Sequence, residues 1–281
     1  MRVLLVTVMI AVLLRPAGAM ESVSAACRLF VTAVMPGLLP YMVLASMLVS
    51  RLEAKKPWLL TLLGWCGGSP TGARLTAMCP GLTGRQRRFV TVATATMSPM
   101  FLLGTCGAWL GSARAGMVLL ASVLAGGGLA GGLAVRCTGT GDDGRAVPVQ
   151  QQGQAENLSM GAAVEQTART LLTVCGTMAV WRMLADMVSR LVPAWSLPVT
   201  TLLEVTTGVA RLAELPLPLA WRTALIAGAT GFGGAAILAQ NRAVSAPGDV
   251  TPLPVQVLWQ AAHGALSFLL ALGLMLLTGR T

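Results

Sequence analysis

Charge is scarce in this chain of 281 residues, where Asp, Glu, Lys and Arg together make up 11%. Hydrophobic residues make up 55%, and the mean hydropathy is +0.73. Disorder needs the opposite balance, low hydrophobicity with dense charge, so it is excluded. A water-soluble globule is excluded as well, because too few polar residues remain to cover its surface. The solvent that this composition asks for is a bilayer. Aromatics are also few, at 5% with one tyrosine, so the net charge of +10 has no stacking platform beside it and does not describe a nucleic-acid binder. Basic loops against anionic lipid account for the excess. There is a single histidine, His263, and the six cysteines, Cys27, Cys66, Cys79, Cys106, Cys137 and Cys175, form no C-x-x-C. No zinc or disulfide pattern follows and no metal or cofactor is expected. Cys27, Cys66, Cys79, Cys106 and Cys175 lie among apolar or small residues and read as small hydrophobes. No nucleophile stands beside a base, so an enzyme is not expected.

What the chain does have is long runs free of Asp, Glu, Lys and Arg. The longest are 29–50, 89–113, 115–135, 223–241 and 250–279, each long enough to cross a bilayer. Shorter runs at 3–14, 57–73, 170–181 and 191–203 need a neighbour, a tilt or a break to sit in one. Residues 1–19, with Arg2, an apolar stretch and Ala17-Gly18-Ala19, read either as a signal peptide or as an uncleaved first helix, and the second is favoured because the rest is polytopic.

Basic clusters set the expected orientation. Arg51, Lys55 and Lys56 precede the 57–80 segment, while Arg85, Arg87 and Arg88 follow it, and both clusters belong in the cytoplasm. A single crossing would separate them, so 57–80 reads as a re-entrant hairpin. The chain then goes out from Phe89 and returns through 115–135. Residues 136–158, with Asp142, Asp143, Arg145 and Gln150 to Gln152, form a hydrophilic linker between a first membrane half at 20–135 and a second at 159–281. In the second half Arg182, Asp186 and Arg190 recur at spacings of four, which lets them pair along one helix face. The expected fold is all-α, with about seven or eight helical segments, some broken or re-entrant, in two pseudo-repeated halves.

Four interruptions carry the polar groups. In the first, Gly67-Gly68-Ser69-Pro70-Thr71-Gly72-Ala73-Arg74, Ser69 is placed to cap a half-helix starting at Pro70, and a helix N-terminus beside Arg74 favours an anion. A plain kink with Arg74 reaching to the interface is the competing reading. In the second, Thr96-Met97-Ser98-Pro99, proline removes a backbone hydrogen bond at mid-span, and a site or a kink repaired by hydroxyls fits equally. In the third, Glu204 with Thr206 and Thr207 precedes Gly208, read as helix-ending. A carboxylate at that depth points to protonation, cation binding or a salt bridge to Arg211 or an arginine of the first half. The fourth, Thr230-Gly231-Phe232-Gly233-Gly234 followed by Gln240 and Asn241, mirrors the first in composition. One glycine-rich break in each half points to a midplane site between repeats, although glycines also permit close helix packing, as at Gly126 to Gly128 and Gly131-Gly132.

In order and spacing, Pro36-Gly37 to Pro40, Gly67 to Arg74, Ser98 to Phe101, Leu202 to Gly208 and Gly231 to Gln240 resemble the sporulation integral membrane proteins of the YlbJ type. These share the nucleoside-recognition or gate domain with SpmA and SpmB. The resemblance runs from about Glu21 to Leu277, and this chain is shorter, with compact loops and a reduced first hairpin. It implies a multi-spanning protein distantly like concentrative nucleoside transporters, in the membrane of a spore former or one surrounding its forespore, that moves dipicolinate, a small aromatic dicarboxylate. The resulting expectation is a transporter of a small organic anion, with Ser69, Pro70, Thr71, Gly72, Arg74, Ser98, Pro99, Glu204, Thr206, Thr207, Gly231, Gly233, Gly234 and Gln240 at the binding site. Its companions are membrane lipid and either a second copy or a membrane partner. The alternative is a non-transporting assembly factor or partner subunit in spore-envelope maturation.

Overall fold

The computed structural model describes residues 2–52, 56–79, 81–137, 158–245 and 251–278. Most of the expected linker, 138–157, and Lys55 lie outside these. The described residues fold into fourteen α-helices and contain no β-strand. After α1 (Arg2–Leu14), α2 (Pro16–Leu29) passes through a π-helical turn, Phe30–Val34, into α3 (Met35–Ser50) as one unbroken rod. Proline opens several helices where no N–H is needed: α2 at Pro16 and α4 (Pro57–Gly67) at Pro57. α5 (Thr71–Ala77) follows a break at Gly68 to Pro70, and α4 and α5 fold against each other.

α6 (Gly84–Ala93) starts on a reciprocal capping box between Thr83 and Gln86. It ends before Thr94 to Pro99, after which the chain coils through Met100–Cys106 into α7 (Gly107–Trp109). The run 89–113, expected as one span, is therefore a broken helix. Pro99 stands at the start of its second piece, and Ser98 Oγ accepts from Phe101 N–H at 3.3 Å. α8 (Ala113–Cys137) and α9 (Met160–Leu191) are long and continuous, and Ser159 caps α9 by accepting from Ala162 N–H. The remainder comprises α10 (Ser196–Leu203), α11 (Val205–Ala213), α12 (Leu219–Phe232), α13 (Gly234–Val244) and α14 (Leu253–Thr278).

Among the described residues, five stretches are long and apolar enough to cross a membrane: Pro16–Ser50, Ala113–Cys137, Met160–Leu191, Leu219–Val244 and Leu253–Thr278. Burial supports the same reading. Leu172, Leu191, Leu269 and Leu277 are exposed on the outside, whereas Thr167, Thr223, Thr230, Ser122, Ser267 and His263 are fully buried. Apolar outside and polar inside is the arrangement for a lipid solvent, where polar groups must find partners within the protein.

The main core joins α8, α11, α12 and α14 through Leu119, Val123, Val209, Ile226 and Ala271, with Phe101 and Leu102 against it. Small residues bring these helices close. A methyl group placed on Gly126 would lie 2.4 Å from Ser267 Oγ, and one on Gly264 would lie 2.8 Å from Gly228 O. On the far side, α2 and α3 meet α9 through Phe30, Leu38 and Met42 against Leu171, Val174 and Met178. Cys27 and Cys175 face each other there, their sulfurs 3.7 Å apart. Arg87, expected among loop charges, is fully buried and donates to Thr76 O and Cys79 O at 2.7 and 2.9 Å, closing the C-terminal end of α5.

Candidate functional site

The four interruptions come together in two pairs. Gly68 to Pro70 lies on Thr94 to Pro99: Ser69 N–H donates to Thr96 O at 2.6 Å. Gly68 has φ +71°, and a methyl there would lie 2.4 Å from Ser98 N, so only glycine fits. Gly72 is held as closely, its methyl position 1.8 Å from Thr94 Oγ1. The third break, at Glu204, lies on the fourth, at Gly233 and Gly234, where a methyl on Gly234 would be 3.0 Å from Leu202 O. One side-chain bond joins the two pairs across 172 residues of chain, with Ser69 Oγ donating to Asn241 Oδ1 at 2.7 Å.

That bond corrects the expected role of Ser69. α5 begins at Thr71 with Pro70 in the cap position and no side-chain cap, so Ser69 links helices and does not close one. Arg74 is buried and does not reach for the interface. Its Nη1 donates to Thr167 Oγ1 of α9 at 3.0 Å, while its Nη2 has no partner. Two hydroxyls near the same break, Thr71 Oγ1 and Thr96 Oγ1, are also buried without a partner. Both ion pairs found among the described residues, Arg169 with Glu165 and Arg182 with Asp186, lie elsewhere, on α9. A buried guanidinium with an open N–H and no acid is costly by itself, and a carboxylate supplies what it lacks.

Glu204 is almost fully buried, and its carboxylate caps α11: Oε1 accepts from Thr206 N–H and Oε2 from Thr207 N–H, both at 2.9 Å. Of the three alternatives for this carboxylate, the salt bridge is not made among the described residues. Arg211 turns to Ser196 O, Ser196 Oγ and Thr200 Oγ1, leaving Glu204 to the backbone and the helix dipole. Gly208 does not end a helix. It lies inside α11, where a methyl would be 2.4 Å from Thr201 Cα, and lets α10 and α11 fold closely.

The remaining expected residues divide. Ser98, Pro99, Gly233 and Gly234 lie at the breaks; Thr206 and Thr207 form the capped turn. Gly231 packs on Gly264 and Ser267 of α14. Gln240 is buried, but its neighbour Asn241 makes the junction. Asn241, Thr167, Thr94 and Arg182 were not singled out as site residues from sequence. Asn241 carried a signal, an amide ending an apolar stretch; Thr167 and Thr94 carried none. Arg182 bonds Asp186 and also donates to Thr207 Oγ1, tying the third break to a cleft of about 630 Å³ lined by Glu21, Ser22, Arg182, Asp186, Arg190 and Ser196.

Fold and site together define an all-α protein of membrane character built around paired helix breaks. Compared with known proteins, the chain matches no family model, no curated protein and no solved structure.

Proposed function

We propose that the protein is an integral membrane transporter of the secondary type for a small organic anion, bound where the broken helices meet. The observation that carries this reading is the junction itself: four breaks joined through Ser69 and Asn241, with Arg74 Nη2, Thr71 Oγ1 and Thr96 Oγ1 buried and unpaired beside them. Irregular backbone persists in a membrane where protein buries it or where it lines a cavity, and unpaired donors favour an anionic occupant. Arg74 and the two hydroxyls hold the carboxylates; Glu204 keeps the α10–α11 break rigid as a cap.

Element order supports two related halves. Long helix, helix–break–helix, helix–break–helix, long helix occurs first as Pro16–Ser50, α4–α5, α6–α7 and α8, then as α9, α10–α11, α12–α13 and α14. This grouping gives eight segments after α1, and the hairpins α4–α5 and α10–α11 are then the re-entrant elements. The YlbJ-type resemblance makes dipicolinate the first substrate to try and a sporulation membrane the first location to examine.

The test is uptake of labelled dipicolinate into proteoliposomes, with other dicarboxylates and nucleosides as competitors and with or without a proton or sodium gradient. Saturable uptake that Arg74→Ala abolishes while the variant stays folded supports the reading. Normal uptake by Arg74→Ala refutes the anion site. Absence of uptake from folded wild-type protein moves the assignment to an assembly factor or partner subunit.

A further inference from the structure

Two cavities share a wall at the C-terminal end of α9, and the anion site uses neither. The charged cleft of about 630 Å³ has Ser22, Asp186 and Arg190 in its lining, and a second cavity of about 300 Å³ beside it has the same three. The rest of the second cavity is an apolar groove, walled by Val12, Leu14, Met183, Met187 and Leu191. It exists because the chain bends at Arg15, with φ −137° and ψ 61°, between α1 and α2 and beside the last turns of α9. Gly18 leaves room for the Arg190 guanidinium on α2, since a methyl there would lie 3.3 Å from Nη2.

The charges follow an order along these walls. Arg182 is already answered by Asp186 at 2.9 Å. Arg15 and Arg190, both on the groove, and Glu21, on the charged cleft alone, have no ion pair among the described residues. A ligand that completes the set therefore carries an apolar chain, then an anion, then a cation. The surroundings say where it comes from. Leu13, Leu14 and Leu191 are exposed around the groove, and Trp195 stands exposed just past the end of α9. Exposed aliphatic side chains with a tryptophan at the end of a span mark the level where hydrocarbon gives way to headgroups.

We propose that the two cavities form a binding site for one glycerophospholipid whose headgroup bears a primary ammonium, the chemistry of phosphatidylethanolamine. An acyl chain lies in the groove, the phosphate sits between Arg15 and Arg190, and the ammonium reaches Glu21. Guanidinium groups match phosphate oxygens with paired donors, and a primary ammonium donates to a carboxylate. A trimethylammonium headgroup has no N–H to donate, and a glycerol headgroup brings no positive charge to Glu21. A water-soluble zwitterion would leave the groove unused. Both volumes are in the range of small-molecule sites. The site rests on the membrane character of the fold and not on transport.

Native mass spectrometry of the full chain released from detergent micelles tests it, with phosphatidylethanolamine, phosphatidylcholine and phosphatidylglycerol of identical chains as probes. Wild-type protein should hold phosphatidylethanolamine most tightly. Arg190→Ala should weaken all three by about two- to fivefold, the range for an exposed charge pair. Glu21→Gln should erase the margin of phosphatidylethanolamine over phosphatidylglycerol. Glu21 and Arg190 are both exposed, so neither change threatens folding. Arg169→Ala, at an exposed cation nearer the start of α9, should leave binding as it is. Equal affinity for the three lipids, or a margin that survives Glu21→Gln, overturns the proposal. So does a loss in Arg169→Ala equal to that in Arg190→Ala, which would mean general attraction to a basic surface. Competition by chain-free glycerophosphoethanolamine as strong as by the intact lipid would also overturn it, since the groove would then contribute nothing. None of these outcomes bears on the Arg74 uptake test.

Discussion

Removing the hydroxyl that joins the two halves of the chain should cost more than its size implies. Ser69→Ala leaves Asn241 Oδ1 at a position only 5% exposed without its donor, and Asn241→Ala strands Ser69 Oγ in the same way. Each orphaned group costs about 1–3 kcal/mol when water cannot replace the partner. Interhelical hydrogen bonds in membrane proteins couple by about 0.6 kcal/mol on average and about 1.7 kcal/mol at most. Because the bond is 2.7 Å long and buried, we place this coupling in the upper part of that range. Each single variant should therefore lose stability by about 1–2 kcal/mol, and the double variant should lose less than the sum by about 1 kcal/mol. Reversible unfolding in mixed micelles, read by the fluorescence of the seven tryptophans, measures all four corners of the cycle. Additivity within about 0.3–0.5 kcal/mol would refute the joint as an energetic link between the break pairs.

Glu204→Gln keeps the shape of the cap but gives up one of two acceptors, so thermal unfolding should register a loss of about 1 kcal/mol, and Glu204→Ala a loss of up to about 2 kcal/mol. Gly208→Ala forces a methyl against Thr201 Cα and should strongly reduce the folded fraction by size-exclusion chromatography. Gly132→Ala, with nothing within 4 Å, should stay within about 0.5 kcal/mol of wild type. Arg87→Met strips the donors from Thr76 O and Cys79 O and should destabilise by about 2–4 kcal/mol in the same unfolding assay.

The breaks are legible in the sequence because the chemistry that interrupts a helix is local. Gly68 and Gly233 take positive φ, and Glu204 reaches the N–H groups two and three residues further on. Their pairing is not legible, because it depends on contacts such as Gly68 on Ser98 that no spacing announces. The same limit explains Ser69: as a serine before proline it reads as a cap, and only the arrival of Asn241 in space turns it into a joint. Arg87 misleads for a related reason, since a basic cluster counts charges and does not say which guanidinium is drawn inside to close a short helix.

The rod from Pro16 to Ser50 has 35 residues and α9 has 32, about 52 and 48 Å of helix, against a hydrocarbon layer of about 30 Å. Packed side by side, the two cannot both fit inside lipid without steep tilt. Near one shared end the two helices carry Glu21, Arg182, Asp186 and Arg190, and these charges line the cleft. On the proposed transporter reading, that end is where a solute meets fixed charge before it meets any hydrocarbon.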